Sequence, residues 1–433
     1  MFPRLQNGRV KLSWRQFMTM RVRAVLMLIA ALAMMGLAGC DHYNCSSGAN
    51  FGGSSCTSTG SGISQGGTTS SAASAFAFAV DADGTIDGYT LSTGAGTFAA
   101  TPNYTGPTIP SNTSGDGMVV AQGQYLYTLF AGIGELYGWT INSAGGLTAI
   151  SGSPFSAPYT IGSTVGGKQS MITNPAGTLL FILNQSGDAV YVYQIGTGGA
   201  LTAAGSLLLP FLPENMATDG LGKYLYVTSA STDTSVTPAI AAYSVSSSGS
   251  LTAVSGSPFS GNIGGMLNAY GMLQVEGDPS GKYLIGTTSA VIGNNYLYVF
   301  NIQQTGATAG AITPVAGSPF TTQYSPYSIA VQPSTGGDLV YSFSISSTGT
   351  YNPIEGYQLN TSTGALTKVS GSPFSSLPTG VWAQFDQSGA FLFVYDTALT
   401  QVAPLEVGSG GVLTAPISPV TTIDGYWTVT DPN

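Results

Sequence analysis

Residues 364–376 read GALTKVSGSPFSS, and nearly the same words stand at 249–261 as GSLTAVSGSPFSG and at 146–157 as GLTAISGSPFSA. A looser copy, GAITPVAGSPFTT, occupies 310–322. A phrase repeated within one chain marks a repeat architecture, in which each copy belongs to one supersecondary unit. The apolar residue of the G-x-L-T part is a convenient anchor. It recurs at Phe98, Leu147, Leu201, Leu251, Ile312, Leu366 and Leu413, seven positions spaced 47 to 61 residues apart.

Each unit carries four strand-like runs bracketed by turn residues. One is rich in aromatics, as in Tyr125-Leu126-Tyr127, Tyr224-Leu225-Tyr226-Val227 and Phe391-Leu392-Phe393-Val394. A run such as Val190-Tyr191-Val192-Tyr193 follows, then the quoted phrase, then a run such as Ile329-Ala330-Val331 ahead of Pro333 and Gly336. Four antiparallel strands in each of seven units predict an all-β fold, a seven-bladed β-propeller over residues 75–433. The phrase reads as the outermost strand of a blade, where Gly and Pro are tolerated, with Phe374 packing between neighbouring sheets. The tail Gly425–Pro432 reads as an inner strand with its turn, whereas the first unit begins at a second strand, Phe76–Val80. The C-terminal strand is therefore expected to complete the first blade and close the ring.

Ahead of the repeats, Arg21 and Arg23 precede the apolar run Ala24–Leu37, which ends in Leu37-Ala38-Gly39-Cys40. A basic start, a short apolar stretch and small residues before a Cys read as a lipoprotein signal peptide with Cys40 acylated. Residues 1–40 are then leader, and 41–74, dominated by Gly, Ser, Thr and Ala, a flexible tether. The expected location is the cell envelope, with the exported domain held to the inner or outer membrane by its N-terminal lipid.

All six basic residues of the leader lie before Cys40; beyond it stand four lysines and nineteen acids, a net charge of −15, with no Arg. Such a surface lacks the basic footprint that nucleic-acid binding requires. His42 is the chain's one histidine, and Cys45 and Cys56 the only cysteines past Cys40. A zinc site normally needs four N or S ligands, so no metal is expected. Asp81, Asp83 and Asp87 read as a solvated turn rather than a calcium loop. No Gly-rich stretch has the strand-then-helix setting of a phosphate loop, and no cofactor is implied.

The phrase G-x-L-T-x-V-x-G-S-P-F and the turn with its following strand, Asp278-Pro279-Ser280-Gly281-Lys282-Tyr283-Leu284, resemble the seven-bladed lactonase-type propellers. That group surrounds 6-phosphogluconolactonase and the carboxymuconate cycloisomerases. The resemblance covers residues 75–432 and implies lactone chemistry at the mouth of a central channel, from inner strands that often open with Pro-His. Here the corresponding words are Pro326-Tyr327-Ser328, Pro213-Glu214-Asn215 and Pro378-Thr379-Gly380. Without His in the domain, a general base would have to be Glu214, its pKa raised by burial. Without Arg, a dianionic substrate has no clamp.

The loops entering the inner strands bring Lys168, Gln169, Glu214, Asn215, Asn268, Tyr270, Tyr327, Trp382, Asp424 and Tyr426 to the channel mouth. Tyr, Trp, Asn and Gln suit a neutral polar ligand such as a glycan, held by stacking and hydrogen bonds; the simpler reading is that these residues fill and cap the channel. Three functions follow. The first is a non-catalytic, lipid-anchored envelope propeller that binds a glycan, peptide or envelope protein. The second is a divergent lactonase acting on a neutral lactone through Glu214. The third is a structural or assembly scaffold.

Overall fold

The computed structural model describes residues 74–80, 84–101, 104–107, 109, 115–156, 170–230, 237–260, 272–288, 295–332, 339–346, 348–396, 398–421 and 426–432. They form seven antiparallel sheets, each with four strands in simple up-and-down order and several with a fifth short strand added at the outer edge. Three single 3-10 turns are the only helical pieces among the described residues. From blade 1 to blade 7 the inner strands are Tyr426–Thr430, Gly117–Ala121, Met171–Thr173, Pro213–Thr218, Met272–Gly277, Ser328–Val331 and Trp382–Phe385. The chain is thus a seven-bladed propeller, and each of the seven anchors falls in the fourth strand of its blade.

Closure follows the expected route. Tyr426–Thr430 pairs antiparallel with Ala75–Val80, in register from Phe76 opposite Thr430 to Val80 opposite Tyr426. The inner strand of blade 7 then meets that of blade 1.

The described core divides into seven apolar clusters, one for each seam between neighbouring blades. Period-two alternation makes this possible. In blade 1, Phe76, Phe78 and Val80 enter the seam with blade 2, while Ala75, Ala77 and Ala79 enter the seam with blade 7. In blade 3, Leu180 and Ile182 face blade 2, and Leu179, Phe181 and Leu183 face blade 4. A second strand is covered on both sides, so it reads as a continuous apolar run, and Leu179–Asn184 is buried throughout.

The repeated phrase has a more particular geometry than a strand that simply ends. In blade 4, Leu251–Ala253 pairs with Tyr243–Val245, and after a turn Phe259–Ser260 pairs with Ala239–Ile240 of the same third strand. Between the two halves Ala242, paired inward with Tyr226, has no strand partner on its outer side. Its carbonyl accepts from the Val254 N–H at 2.9 Å, and its N–H donates to Ser257 Oγ at 2.9 Å. The serine hydroxyl thereby stands in for a missing backbone carbonyl. Ser153, Ser318 and Ser372 do the same for the N–H groups of Gly138, Val299 and Gly356, at 3.0, 3.0 and 2.9 Å. Gly256 turns the chain at φ +86°, a region that side chains resist, and the Ser257–Pro258 peptide is cis, as in the other three copies. In blade 6 Phe374 bridges back to Ile354 and lies in the cluster shared with blade 7, so it packs between sheets as its position in the phrase suggested.

The opening Gly of the phrase locks one blade to the one before. Gly310 has φ +89°, and a Cβ there would fall 2.5 Å from the Tyr224 ring of blade 4. Its carbonyl accepts from Tyr226 Oη at 3.0 Å. Tyr127 and Tyr341 reach Gly199 and Gly411 of their following blades in the same way, at 2.6 and 2.7 Å.

Ser257→Ala leaves the Ala242 N–H without its acceptor and is expected to lower stability by about 1–2 kcal/mol. Ser255→Ala, on the exposed side of the same turn, is expected to change it by less than about 0.5 kcal/mol. Urea unfolding of the two variants beside the parent checks both values.

Candidate functional site

The inner strands enclose a central cavity of about 490 Å³, walled by residues of blades 1, 2, 3, 5, 6 and 7. Much of the wall is apolar, including Met118, Met171, Ile172, Phe385 and Trp427. Much of its polar side-chain surface is engaged in joining one inner strand to the next. Gln274 donates through Nε2 to Ile329 O at 3.2 Å and accepts at Oε1 from Ile329 N–H at 2.9 Å. Glu276 accepts from Gln274 at 2.8 Å and from Val331 N–H at 2.9 Å. Gln384 donates to Thr428 Oγ1 at 3.3 Å; behind the wall, Ser328 Oγ donates to Val381 O. Among the described residues, no lysine or arginine belongs to the wall.

At the end where the inner strands begin, the rim is aromatic and acidic. The rings of Tyr327 and Trp382 meet edge to face, centroids 5.4 Å apart at 67°. Trp382 and Tyr426 line the cavity itself. Burial pushes the Tyr426 phenol up, and the charge of nearby Asp116 adds to this. Asp116 is held in place, accepting at Oδ2 from Ala131 N–H at 2.7 Å.

Glu214 lies outside the cavity wall but at the same end. It is the extra residue of a β-bulge, with Pro213 opposite Ser229 and Asn215 already opposite Thr228. Bulges re-aim a side chain and break the ladder locally. Half-buried, Glu214 has its carboxyl raised above the ordinary glutamate value of 4.5, with desolvation as the cause. Tyr327 is within its electrostatic reach. Burial raises that phenol first, and the charge of Glu214 and then Tyr351 raise it further.

Of the other residues expected at the mouth, Asn215 is buried in a bracing role, with Oδ1 accepting from Val275 N–H of blade 5 at 3.1 Å. Lys168, Gln169, Asn268, Tyr270 and Asp424 lie outside the described residues, as do Cys40, Asp81 and Asp83. Lys223 and Lys282 are exposed in the turns after their inner strands, away from the rim. Lys368 sits on an outer strand, 2.9 Å from the buried carboxylate of Glu355.

The far end is built differently. Asp219, Asp278 and Asp386 are buried and accept from the N–H groups of Tyr224, Tyr283 and Phe391 at 2.7, 2.6 and 2.9 Å. Each carboxylate closes the turn from inner to second strand. Burial raises Asp219 and Asp386, and those same hydrogen bonds oppose the shift.

Sequence reasoning confined to the entering loops missed the wall residues Glu276, Gln384, Phe385 and Trp427. A signal for part of this set was present. Ile172, Glu276, Ala330, Gln384 and Val429 all line the cavity, and each stands two residues before the Asn, Asp or Gln that begins its turn.

No protein-family model matches the chain, and no curated protein does. Solved structures do match. One is a provisionally assigned 6-phosphogluconolactonase of Bacteroides fragilis, with TM-score 0.59 and 15% identity over 84% of this chain and 99% of that one. The fold is that of the 6-phosphogluconolactonase-like propellers. A Lactobacillus plantarum protein aligns at TM-score 0.55 and 15% identity, covering 82% of this chain and 99% of its own. The periplasmic gluconolactonase of Pseudomonas aeruginosa aligns at 0.54 and 14%, covering 83% and 100%. At such identities the likeness is one of architecture, and function has to be argued from the site.

Glu214 yields a test of that environment. Its folded pKa is raised, so the native state holds this proton more tightly than the unfolded chain. Its contribution is most favourable below the unfolded pKa and is lost as pH rises through the folded one. Glu214→Gln is therefore expected to melt higher than the parent at pH 7, with the gap closing as pH falls below 4.5. Paired thermal melts across that range measure it.

Proposed function

We propose that this chain is an exported, lipid-anchored envelope propeller that binds a small organic ligand at the start end of its central channel and does no chemistry on it. One observation carries the reading: a central cavity of about 490 Å³ with an aromatic rim at Trp382 and Tyr426, and no cationic side chain in its described wall. A pocket of this size suits a small ligand, and apolar walls with few polar groups are the usual build of such sites. The absence of Lys and Arg from the described wall disfavours phosphorylated sugars and dicarboxylates, which need cationic clamps. The absence of His from residues 75–433 removes the usual general base near neutral pH. The lipid anchor rests on the Leu37-Ala38-Gly39-Cys40 motif.

Trp382 and Trp427 both line the cavity, so a ligand entering it is expected to change intrinsic fluorescence. A neutral glycan and small-molecule panel titrated by fluorescence should show saturable change, with Trp382→Ala weakening binding about tenfold or more. Binding that is indifferent to Trp382 would place the site elsewhere.

One observation favours a second reading, hydrolysis of a neutral lactone. It is the raised carboxyl of Glu214 on its bulge beside Tyr327. Such a group can act as general base once ionised. Turnover would then rise with pH through an elevated carboxyl pKa and vanish in Glu214→Gln. A lactone panel assayed across pH decides between the two readings.

A further inference from the structure

The outer strand of blade 3 departs from the pattern of the others. In the other six blades the fourth strand runs for two to four residues. In blade 3 it runs unbroken for eight, Leu201–Leu208. The reason is local. Gly256-Ser257-Pro258-Phe259 of blade 4 has its counterpart in Gly205-Ser206-Leu207-Leu208, and a leucine in place of the proline keeps its N–H and lets the strand continue. Among the described residues this strand is the last of its sheet. Thr202, Ala203, Gly205, Ser206 and Leu208 are exposed along it, Leu208 to 79%. It carries neither the charges nor the proline that keep other edges from pairing. Its one irregularity is a bulge at Ala204, where Val192 faces Gly205 and Tyr193 faces Ala203.

That bulge gives the outer edge a two-fold pattern. Leu209 N–H turns inward to Asp188 O at 2.7 Å, and Ala200 O turns inward to Gly196 N–H at 2.9 Å. Inward and outward residues alternate along an antiparallel ladder. Counted from those two bonds, the outward backbone groups are those of Leu201, Ala203, Ser206 and Leu208. They lie symmetrically about the peptide bond between Ala204 and Gly205. We propose that the outer edge of blade 3 is a self-association edge, through which two copies of this chain pair antiparallel and join their blade 3 sheets into one. A second copy sets Leu208 opposite Leu201 and Ser206 opposite Ala203, in both directions at once, so that each outward N–H meets a carbonyl. A two-fold contact must be self-complementary, and this edge is. Its side chains are small or apolar, so two domains at −15 meet where the strand sets no acid against acid. A ladder of this length is a small contact beside the roughly 1,200 Å² or more of stable interfaces, so the dimer is reversible and concentration-dependent.

Sedimentation velocity of the purified full chain, from about 1 µM to about 1 mM, is expected to show monomer giving way to dimer. Hydrogen exchange within residues 201–208 should slow as the dimer forms. Leu208→Lys sets a charge opposite Leu201 of the second copy and should weaken association about tenfold or more, with melting unchanged for so exposed a side chain. Ser206→Pro removes an outward donor, leaves the inner ladder its bonds, and should weaken association likewise. Leu221→Lys, on an exposed turn of blade 4, changes the net charge by the same amount and should leave association as in the parent. A parent that stays monomeric throughout overturns the proposal. So does a dimer that Leu208→Lys leaves as tight as Leu221→Lys does, or one whose formation leaves exchange at 201–208 unchanged. Should Ser206→Pro fail to fold, Leu208→Lys and the exchange measurement decide. The strand does not border the channel, so ligand binding there stands or falls separately.

Discussion

Each blade has two apolar faces, and neither can be left to water. From that constraint the ring follows. A four-stranded sheet whose second strand is buried through its length, as Leu179–Asn184 is, needs a neighbour on each side. The seven seams supply fourteen covered faces only if the last blade meets the first. Pairing of Tyr426–Thr430 with Ala75–Val80 secures that meeting. It places Val429 and Trp427 in the same seam as Phe391 and Phe393, so the two ends of the domain are tied by a strand ladder and by a core. Closure also removes the inner edge that an incomplete first blade would otherwise present.

The repeated phrase is the outer counterpart of that arrangement. Outer strands are less covered than inner ones, and the chain there must also cross to the next blade. A serine hydroxyl accepting from a third-strand N–H lets the outer strand break without leaving a backbone group unpaired, four times over. The glycine at the head of the phrase fits against the previous blade because it has no side chain, and its carbonyl receives a tyrosine hydroxyl from the previous blade at three seams. The phrase is thus a set of backbone solutions, and its conservation from blade to blade within the chain carries no information about a ligand.

The hub is where function has room. Polar side chains on the inner strands largely satisfy one another and the neighbouring backbone, as Gln274, Glu276 and Asn215 do. What remains toward the channel, among the described residues, is largely apolar wall with an aromatic rim at Trp382 and Tyr426. On the proposed reading, a site of that kind would select by shape and by ring faces. Its described wall has no cationic side chain to clamp an anion, although the architecture is shared with structures assigned as gluconolactonases.

Blade number, strand order and closure could be read from the chain alone, because each depends on local patterns: seven anchors, runs of period two, and turns of Gly, Pro and Asp at fixed offsets. Tyr327, Trp382, Tyr426 and Glu214 could likewise be named from their places just ahead of, or at the start of, inner strands. Their separate roles could not. Whether Asn215 faces a ligand or braces blade 5, and whether Glu214 finds a cation, depends on residues sixty or a hundred positions away that only folding brings near. The cavity wall belongs to the same class. Glu276, Gln384 and Phe385 become lining residues because six strands distant in sequence converge on one axis, and no local pattern encodes a convergence.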